Sequence, residues 1–165
     1  TRFELKIEVP APKVATASEI LSRLGQANAE RGKELFFDPV RGAGCVVCHR
    51  VQGQGSEFAP DLSAVGIRLT PENIVEAILE PSAAITEGYG LHQIETTSGS
   101  HLGAVLHETP TEMVMVTPAG QRLTIEVASV ISRKKINQSV MPQIYGLFGD
   151  QSLADLTAYL KSLRN

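Results

Sequence analysis

Two cysteines and a histidine lie close enough in the chain to act on one ligand, in the run Cys45-Val46-Val47-Cys48-His49. They are the chain's only cysteines. The two intervening residues let both sulfurs reach one edge of a planar macrocycle, and the adjacent imidazole then lies beneath a metal at its centre. We therefore interpret the motif as a c-type haem attachment site, with one haem c bonded through Cys45 and Cys48 and with His49 as the proximal iron ligand.

Three other uses of the cysteine pair remain open at this point. A redox dithiol normally follows a strand and opens a helix of a βαβ unit, but a glycine-rich loop precedes this motif. A zinc site needs four ligands, so His92, His101 or His107 would have to complete it. A structural disulfide would close a short and strained loop.

The sixth iron ligand is predicted to come from the far end of the chain, where Met141 precedes Pro142. Proline stiffens the loop, so that the thioether can be aimed at the iron without a surrounding helix. The alternative is a methionine that fills a gap in the core. Met113 and Met115 alternate in a predicted strand, which favours a core position for both. The remaining rival ligands are His92, His101 and His107.

The first elements that must position these groups are helical. Residues 18–37 are predicted to form a helix interrupted near Gly25, with Asn28 as an N-cap and Asp38-Pro39 as the end. A second helix is expected to begin at Thr70-Pro71, to turn Ile74, Ala77 and Ile78 to one side and to stop at Pro81. A last helix is expected to be capped by Ser152. Leucines at helical spacing form its apolar stripe: Leu153, Leu156, Leu160 and Leu163.

Residues 91–128 carry a different pattern, which predicts four short strands in a small antiparallel sheet or partial barrel. The strands are expected at 91–97, 102–106, 113–116 and 123–127. Residues 1–17 are interpreted as an N-terminal strand and a linker, because Phe3, Leu5, Ile7 and Val9 alternate with charged residues. That strand either pairs with the inserted sheet or is the remnant of an upstream domain.

The sequence resembles a class I-type cytochrome c over roughly residues 27–90 and 129–165. The matching pieces are Arg31-Gly32-Lys33-Glu34-Leu35-Phe36, the CVVCH run, Phe58-Ala59-Pro60-Asp61-Leu62, Met141-Pro142 and Ala158-Tyr159-Leu160. The resemblance implies that Gly32 and Phe36 of the first helix cross Tyr159 of the last. It also implies that the carbonyl of Pro60 orients the proximal histidine and that Leu62 packs on the haem. The expected fold is a mainly α cytochrome c domain around one covalent haem, spanning 18–165 and interrupted at about 91–128 by the β insertion, α+β overall.

The insertion itself resembles that of a haem-binding domain found at the ends of large multidomain proteins of planctomycetes and verrucomicrobia. The matching stretches are Glu80-Pro81-Ser82, Tyr89, Gly103, Glu108-Thr109, Ile131-Ser132-Arg133 and Ser139-Val140-Met141-Pro142. Such domains often follow dehydrogenase-like or propeller domains. This resemblance implies an electron acceptor that works with a fused or partner dehydrogenase.

Charge and hydropathy argue against nucleic-acid binding and against a membrane-spanning segment. The net charge of −3 gives no basic footprint for nucleic acid, and no apolar run approaches the roughly 18 residues of a membrane span.

Arg68 and Arg133 are candidate partners of the haem propionates, although solvated surface arginines are the commoner case. The interpretation is a non-enzymatic electron carrier that cycles between Fe(II) and Fe(III), docks a redox partner and works in the periplasm or another extracytoplasmic compartment, as the family implies. The alternatives are a haem sensor or small-ligand binder with an open sixth site, and a haem enzyme such as a peroxidase, for which no polar distal group is identifiable.

Overall fold

The computed structural model describes residues 12–165 of the chain. Over this range the chain forms five α-helices: α1 (Ala17–Ser22), α2 (Ala29–Phe37), α3 (Val65–Arg68), α4 (Pro71–Leu79) and α5 (Asp150–Ser162). It also forms seven strands: β1 (Arg50–Val51), β2 (Gln54–Gly55), β3 (Gly90–Thr96), β4 (Gly99–Glu108), β5 (Glu112–Val116), β6 (Arg122–Glu126) and β7 (Val130–Ser139). None of the helices in this range has the length and hydropathy needed to cross a membrane.

The first helical region is divided where the sequence predicted an interruption. Helix α1 is followed by a 3₁₀ turn, Leu24–Gln26, and then by α2. The side chain of Asn28 caps α2 by accepting hydrogen bonds from the N–H groups of Glu30 and Arg31. Ahead of α1, Ala15 is buried and its N–H donates to the carbonyl of Gly146. The residues just before α1 therefore pack against the segment around Gly146. The predicted strand at residues 3–9 lies outside the described residues.

Helices α2 and α5 cross in direct backbone contact. A Cβ atom on Gly32 would overlap the carbonyl oxygen of Asp155, so only glycine fits there. One turn further along α2, the ring of Phe36 packs against that of Tyr159 with centroids 5.7 Å apart. The structure thus contains the helix crossing that the cytochrome resemblance implied.

The start of α5 differs from the prediction. The helix begins at Asp150, with Gly149 at the N-cap position, and Ser152 lies inside it. Gly149 has a φ of 83°, a conformation that favours glycine. This residue redirects the chain out of a preceding 3₁₀ turn, Tyr145–Phe148, and starts the helix early. Asp150 then occupies the first turn, where a carboxylate is favoured by the helix dipole.

The sheet between α4 and α5 has five strands in the order β6-β5-β4-β3-β7, all antiparallel. The prediction of four strands within 91–128 was one strand short, because β7 continues to Ser139. Strand β7 is a sheet edge that is mostly exposed, so its sequence lacks the apolar alternation that marks a half-buried strand. The larger sheet makes α+β the apt description of the described residues.

The sheet must be strongly curled. Strands β6 and β7 are its two edges, yet only Val127–Ser129 connects them. Edge strands of a flat five-stranded sheet lie about 19 Å apart, and this connection spans at most about 15 Å. One face of the sheet buries a small core of Ile94, Met113, Met115 and Ile125. Met113 and Met115 are therefore sheet-core residues, as their alternation favoured.

A second core joins the helices and the motif region. Its buried members come from all five helices and from β1, with Ala15 just before α1 and Leu163 just after α5: Ala15, Ile20, Phe36, Val51, Val65, Ile74, Val75, Ile78, Leu153, Ala154, Leu156, Tyr159, Leu160 and Leu163. Asp155 lies beside this core and holds the start of α2 to α5. It accepts hydrogen bonds from the guanidinium of Arg31 (2.6 and 3.0 Å), the N–H of Asn28 (2.7 Å) and the amide of Gln151 (3.1 Å).

Gly32→Ala is predicted to destabilise the protein by at least about 2 kcal/mol, because two backbones would have to separate to admit the new methyl group. This loss should exceed the gain in helix propensity. Urea unfolding followed by circular dichroism measures the difference. The matched control is Gly25→Ala, where a Cβ meets nothing within 4 Å. Equal stability of the two variants would contradict the crossing.

Asp155→Asn is predicted to remove a pH-dependent part of the stability. Burial acts to raise the pKa of Asp155, but hydrogen bonds from Arg31, Asn28 and Gln151 outweigh it and hold the pKa below its usual value. The carboxylate therefore stabilises the fold above the unfolded-state pKa, and this contribution is lost as pH falls through the lower folded-state pKa.

We expect the Asp155→Asn variant to lose roughly 1–3 kcal/mol of unfolding free energy at neutral pH and to approach the wild type in acid. Urea titrations across the acidic range measure both. Glu108→Gln, which removes an exposed carboxylate paired with Arg133, is the control and should have little effect. A constant difference between wild type and Asp155→Asn at every pH would show that the ion pair does not carry the effect.

Candidate haem site

An apolar cavity lies between the helices and the cysteine motif. The space between its wall atoms, with the open mouth included, is about 550 Å³. The wall is formed by Phe36, Cys45, His49, Leu62, Val65, Leu69, Ile74, Ala77, Ile78, Met141, Tyr145, Leu156 and Leu160. Four sequence-predicted site residues therefore meet here: Cys45, His49, Leu62 and Met141.

The cysteine motif forms a tight turn at one wall. Residues Cys45–Val47 make one 3₁₀ turn, and the N–H of His49 donates to the carbonyl of Cys45 at 2.8 Å. The turn follows Gly44, whose φ of 61° is left-handed. This conformation brings both sulfurs and the imidazole into one short loop, with Cys45 in the cavity wall.

The two thiols are unlike those of a redox dithiol. Burial raises the pKa of Cys45 to about 12 and also raises the pKa of Cys48. A redox-active pair instead needs a thiolate with a lowered pKa. The two sulfurs are not joined in a disulfide. Within residues 12–165, no cluster of three or more His, Cys, Asp or Glu side chains is placed to hold a metal ion, so none completes a zinc site there.

His49 is held in one tautomer by Pro60. Its Nδ1 lies 2.8 Å from the Pro60 carbonyl oxygen, and because a carbonyl can only accept, Nδ1 must carry the proton. The Nε2 atom then keeps its lone pair for a metal. Burial lowers the pKa of His49, although the Pro60 carbonyl acts in the opposite sense, so the ring is neutral near neutral pH. This is the protonation state that iron ligation requires.

Backbone hydrogen bonds fix Pro60 in that position. The N–H of Ala59 donates to the carbonyl of Cys48 at 2.8 Å, and the N–H of Leu62 donates to the carbonyl of Arg50 at 2.9 Å. Residues 58–62 thus run alongside the motif and bring the Pro60 carbonyl to the His49 ring and the Leu62 side chain to the cavity wall. The hydrogen bond from His49 to Pro60 agrees with the role that the resemblance implied for Pro60, and the packing of Leu62 on the haem stays a prediction.

The two arginines are not brought to the cavity. Arg68 donates to the carbonyl of Asp61 at 2.9 Å on the exposed side of that loop. Arg133 lies on β7 and pairs with Glu108 of β4 at 2.8 Å. Neither lines the cavity wall, and their binding of haem propionates stays a prediction. The histidines that rivalled Met141 lie on β3 and β4, also away from this wall: His92, His101 and His107.

Tyr145 is a cavity residue that sequence reasoning missed. It lies four positions after Met141, a spacing that could have indicated it, and its ring stacks on Phe148 with centroids 6.1 Å apart. Burial raises the pKa of its hydroxyl to about 12. The hydroxyl therefore stays protonated and does not act as a base near neutral pH.

The side-chain chemistry of the cavity wall suits a haem. Hydrocarbon side chains make up most of the wall, as a large apolar macrocycle requires. In the described part of the chain, the other wall groups are a thiol, an imidazole with a free Nε2, a thioether and a phenol. Of these, the imidazole and the thioether are iron ligands of c-type haems, and the thiol is the group that forms the covalent link.

Comparison with known proteins agrees with this donor set. The family model described as Cytochrome c matches residues 29–116, which is more than half of the chain and runs from the first residue of α2 to the last of β5. No curated protein matches the chain significantly. A haem c attached covalently is implied by this family. With the cavity and its ligand set described above, the match shows that the chain belongs to the cytochrome c family.

Proposed function

We propose that this cytochrome c is a one-electron carrier whose haem c is bonded to Cys45 and Cys48, with His49 and Met141 as the two axial ligands. The observation that carries the proposal is the cavity, whose largely apolar wall includes both the His49 imidazole and the Met141 thioether. When bound, haem c supplies an iron that accepts and releases one electron. The wall excludes water from most of the group, and the thioether favours the reduced state.

A carrier fits this cavity better than a haem enzyme does. Peroxidase-type chemistry needs an open iron position with a polar acid–base group beside it. Among the described residues of the wall, the one hydroxyl is that of Tyr145. Because its pKa is about 12, this hydroxyl is already protonated near neutral pH and cannot take up a proton there. With Met141 at the sixth position, no site for a substrate remains.

Electron transfer also requires a surface at which a partner approaches closely. Val47 lies between the two cysteines and is 59 % exposed, and Val40, shortly before the motif, is 87 % exposed. We propose that these apolar side chains belong to a small docking surface for a redox partner, of the size typical of transient complexes.

The partner and the compartment are inferred from the two family resemblances. The resemblance to the haem-binding domain of large planctomycete and verrucomicrobial proteins supports a fused or separate dehydrogenase as the electron donor. Cytochromes c typically receive their haem on the outer side of the bacterial cytoplasmic membrane. We therefore propose that this chain works in the periplasm or another extracytoplasmic compartment.

Expression in a host that attaches haem c is predicted to give a protein heavier than its polypeptide by one haem. The Cys45→Ser/Cys48→Ser double variant should lose this added mass, because both thioether bonds need the sulfurs. Intact-mass spectrometry under denaturing conditions measures it, since denaturation releases haem that is not covalently bound. His107→Gln, at an exposed position of β4, is the control and should retain the haem. Wild-type protein without added mass would overturn the proposal.

Met141→Leu is predicted to change the iron environment while preserving side-chain volume. The ferric protein should lose the weak far-red absorption band of thioether-ligated haem, and the ferrous protein should bind CO readily. Met113→Leu and Met115→Leu are matched controls, because these methionines lie in the sheet core, and both should keep the wild-type spectrum.

If the wild type lacks the far-red band and binds CO as readily as Met141→Leu, Met141 is not a stable sixth ligand. The protein would then be a haem sensor or small-ligand binder with an open position. If Met113→Leu or Met115→Leu removes the band instead, the ligand comes from the sheet.

A further inference from the structure

The five-stranded sheet ends beside the proposed sixth ligand. Its edge strand β7 stops at Ser139, two residues before Met141. Gly90 pairs with Ser139, whereas the next residue of β3, Leu91, pairs with Ile136. Two extra residues of β7 are therefore accommodated in a bulge at its end. Such bulges redirect a strand and re-aim the residues that follow it.

Two serines hold the segment between this bulge and Met141. The N–H of Met141 donates to the hydroxyl oxygen of Ser139 at 3.1 Å, which closes a local turn. The N–H of Ser139 donates in turn to the hydroxyl oxygen of Ser82 at 3.1 Å. Ser82 is 57 residues away in sequence, in the turn that follows α4.

A third hydrogen bond holds the other side of the loop. The amide of Gln143 donates to the carboxylate of Glu80 at 2.6 Å, and Glu80 is the C-cap of α4. The loop that carries Met141 is thus tied on both sides to the end of α4. The same helix supplies Ile74, Ala77 and Ile78 to the cavity wall. The sheet, the methionine loop and this wall therefore form one connected unit.

We propose that Ser82 and Ser139 are positioning residues for Met141, and that the sheet is the arm that holds this loop against the cavity. The inference rests on the proposed function, because it takes Met141 as the sixth ligand. A thioether on a free loop would leave the iron easily, since ordering the loop costs conformational entropy. The bulge of β7 and the two serine hydroxyls order this loop before the thioether binds the iron.

The test compares Ser139→Ala and Ser82→Ala with the wild type, each as haem-loaded protein. Imidazole is added to the ferric form, where it competes with the methionine for the iron. Removing one hydrogen bond that holds the loop should raise the affinity for imidazole by roughly two- to tenfold. The far-red band should also be weaker in both variants than in the wild type. Ser82 is exposed, so its variant is expected to fold even if Ser139→Ala does not.

Two further variants separate positioning from general stability. Ser132→Ala lies on the same strand, at an exposed position opposite Glu95, and should leave the imidazole affinity unchanged. Ser139→Thr keeps the hydroxyl and suits a strand, so it should restore the wild-type value. A fall in thermal stability with no change in imidazole affinity or in the far-red band would show a merely structural role.

The outcomes also distinguish this inference from the proposed function. If the wild type has no far-red band and Met141→Leu leaves its spectrum unchanged, the proposed ligand is wrong. If the wild type has the band but Ser82→Ala and Ser139→Ala both behave like Ser132→Ala, only the positioning role is wrong.

Discussion

The backbone contact between α2 and α5 is the constraint on which the helical part depends. Gly32 lets the two helices meet without a side chain between them, and Asp155 holds the start of α2 to α5 at the same level. Both helices then contribute to the cavity, α2 through Phe36 and α5 through Leu156 and Leu160. A wider crossing would move these side chains apart and open the apolar wall. The shape of the haem site is therefore set by a contact that lies outside it.

The chemistry of the site is divided between two segments distant in sequence. Residues 45–62 supply the cysteines, the imidazole and the carbonyl that fixes its tautomer. Met141 and Tyr145 come from the short loop before α5, after the whole sheet. The first group is ordered by local turns and backbone hydrogen bonds. The second depends on tertiary contacts, because its loop is anchored to the end of α4 by residues far away in sequence.

This division gives the sheet a physical role in the site. An insertion of five strands between α4 and α5 could have displaced the methionine loop from the helices. Instead the sheet curls on its own small core, and β7 returns the chain to the turn after α4. The family-model match extends into the sheet as far as β5 but does not reach Met141 or α5. The hydrogen bond between Ser139 and Ser82 returns the end of β7 to the turn after α4, and the contact with α2 holds α5.

The sequence by itself determined the local features. The spacing of Cys45, Cys48 and His49 indicated the cofactor class, and Asn28 and Pro71 marked helix starts because capping and proline geometry act over a few residues. The alternation of Met113 and Met115 placed both methionines in a strand core for the same local reason. Tertiary structure alone decided the rest. Strand β7 has no alternating pattern because it is an exposed edge, and α5 starts at Asp150 because Gly149 redirects the preceding turn. The place of Tyr145 in the wall and the pairing of Arg133 with Glu108 depend on contacts between distant segments, which no local pattern of residues encodes.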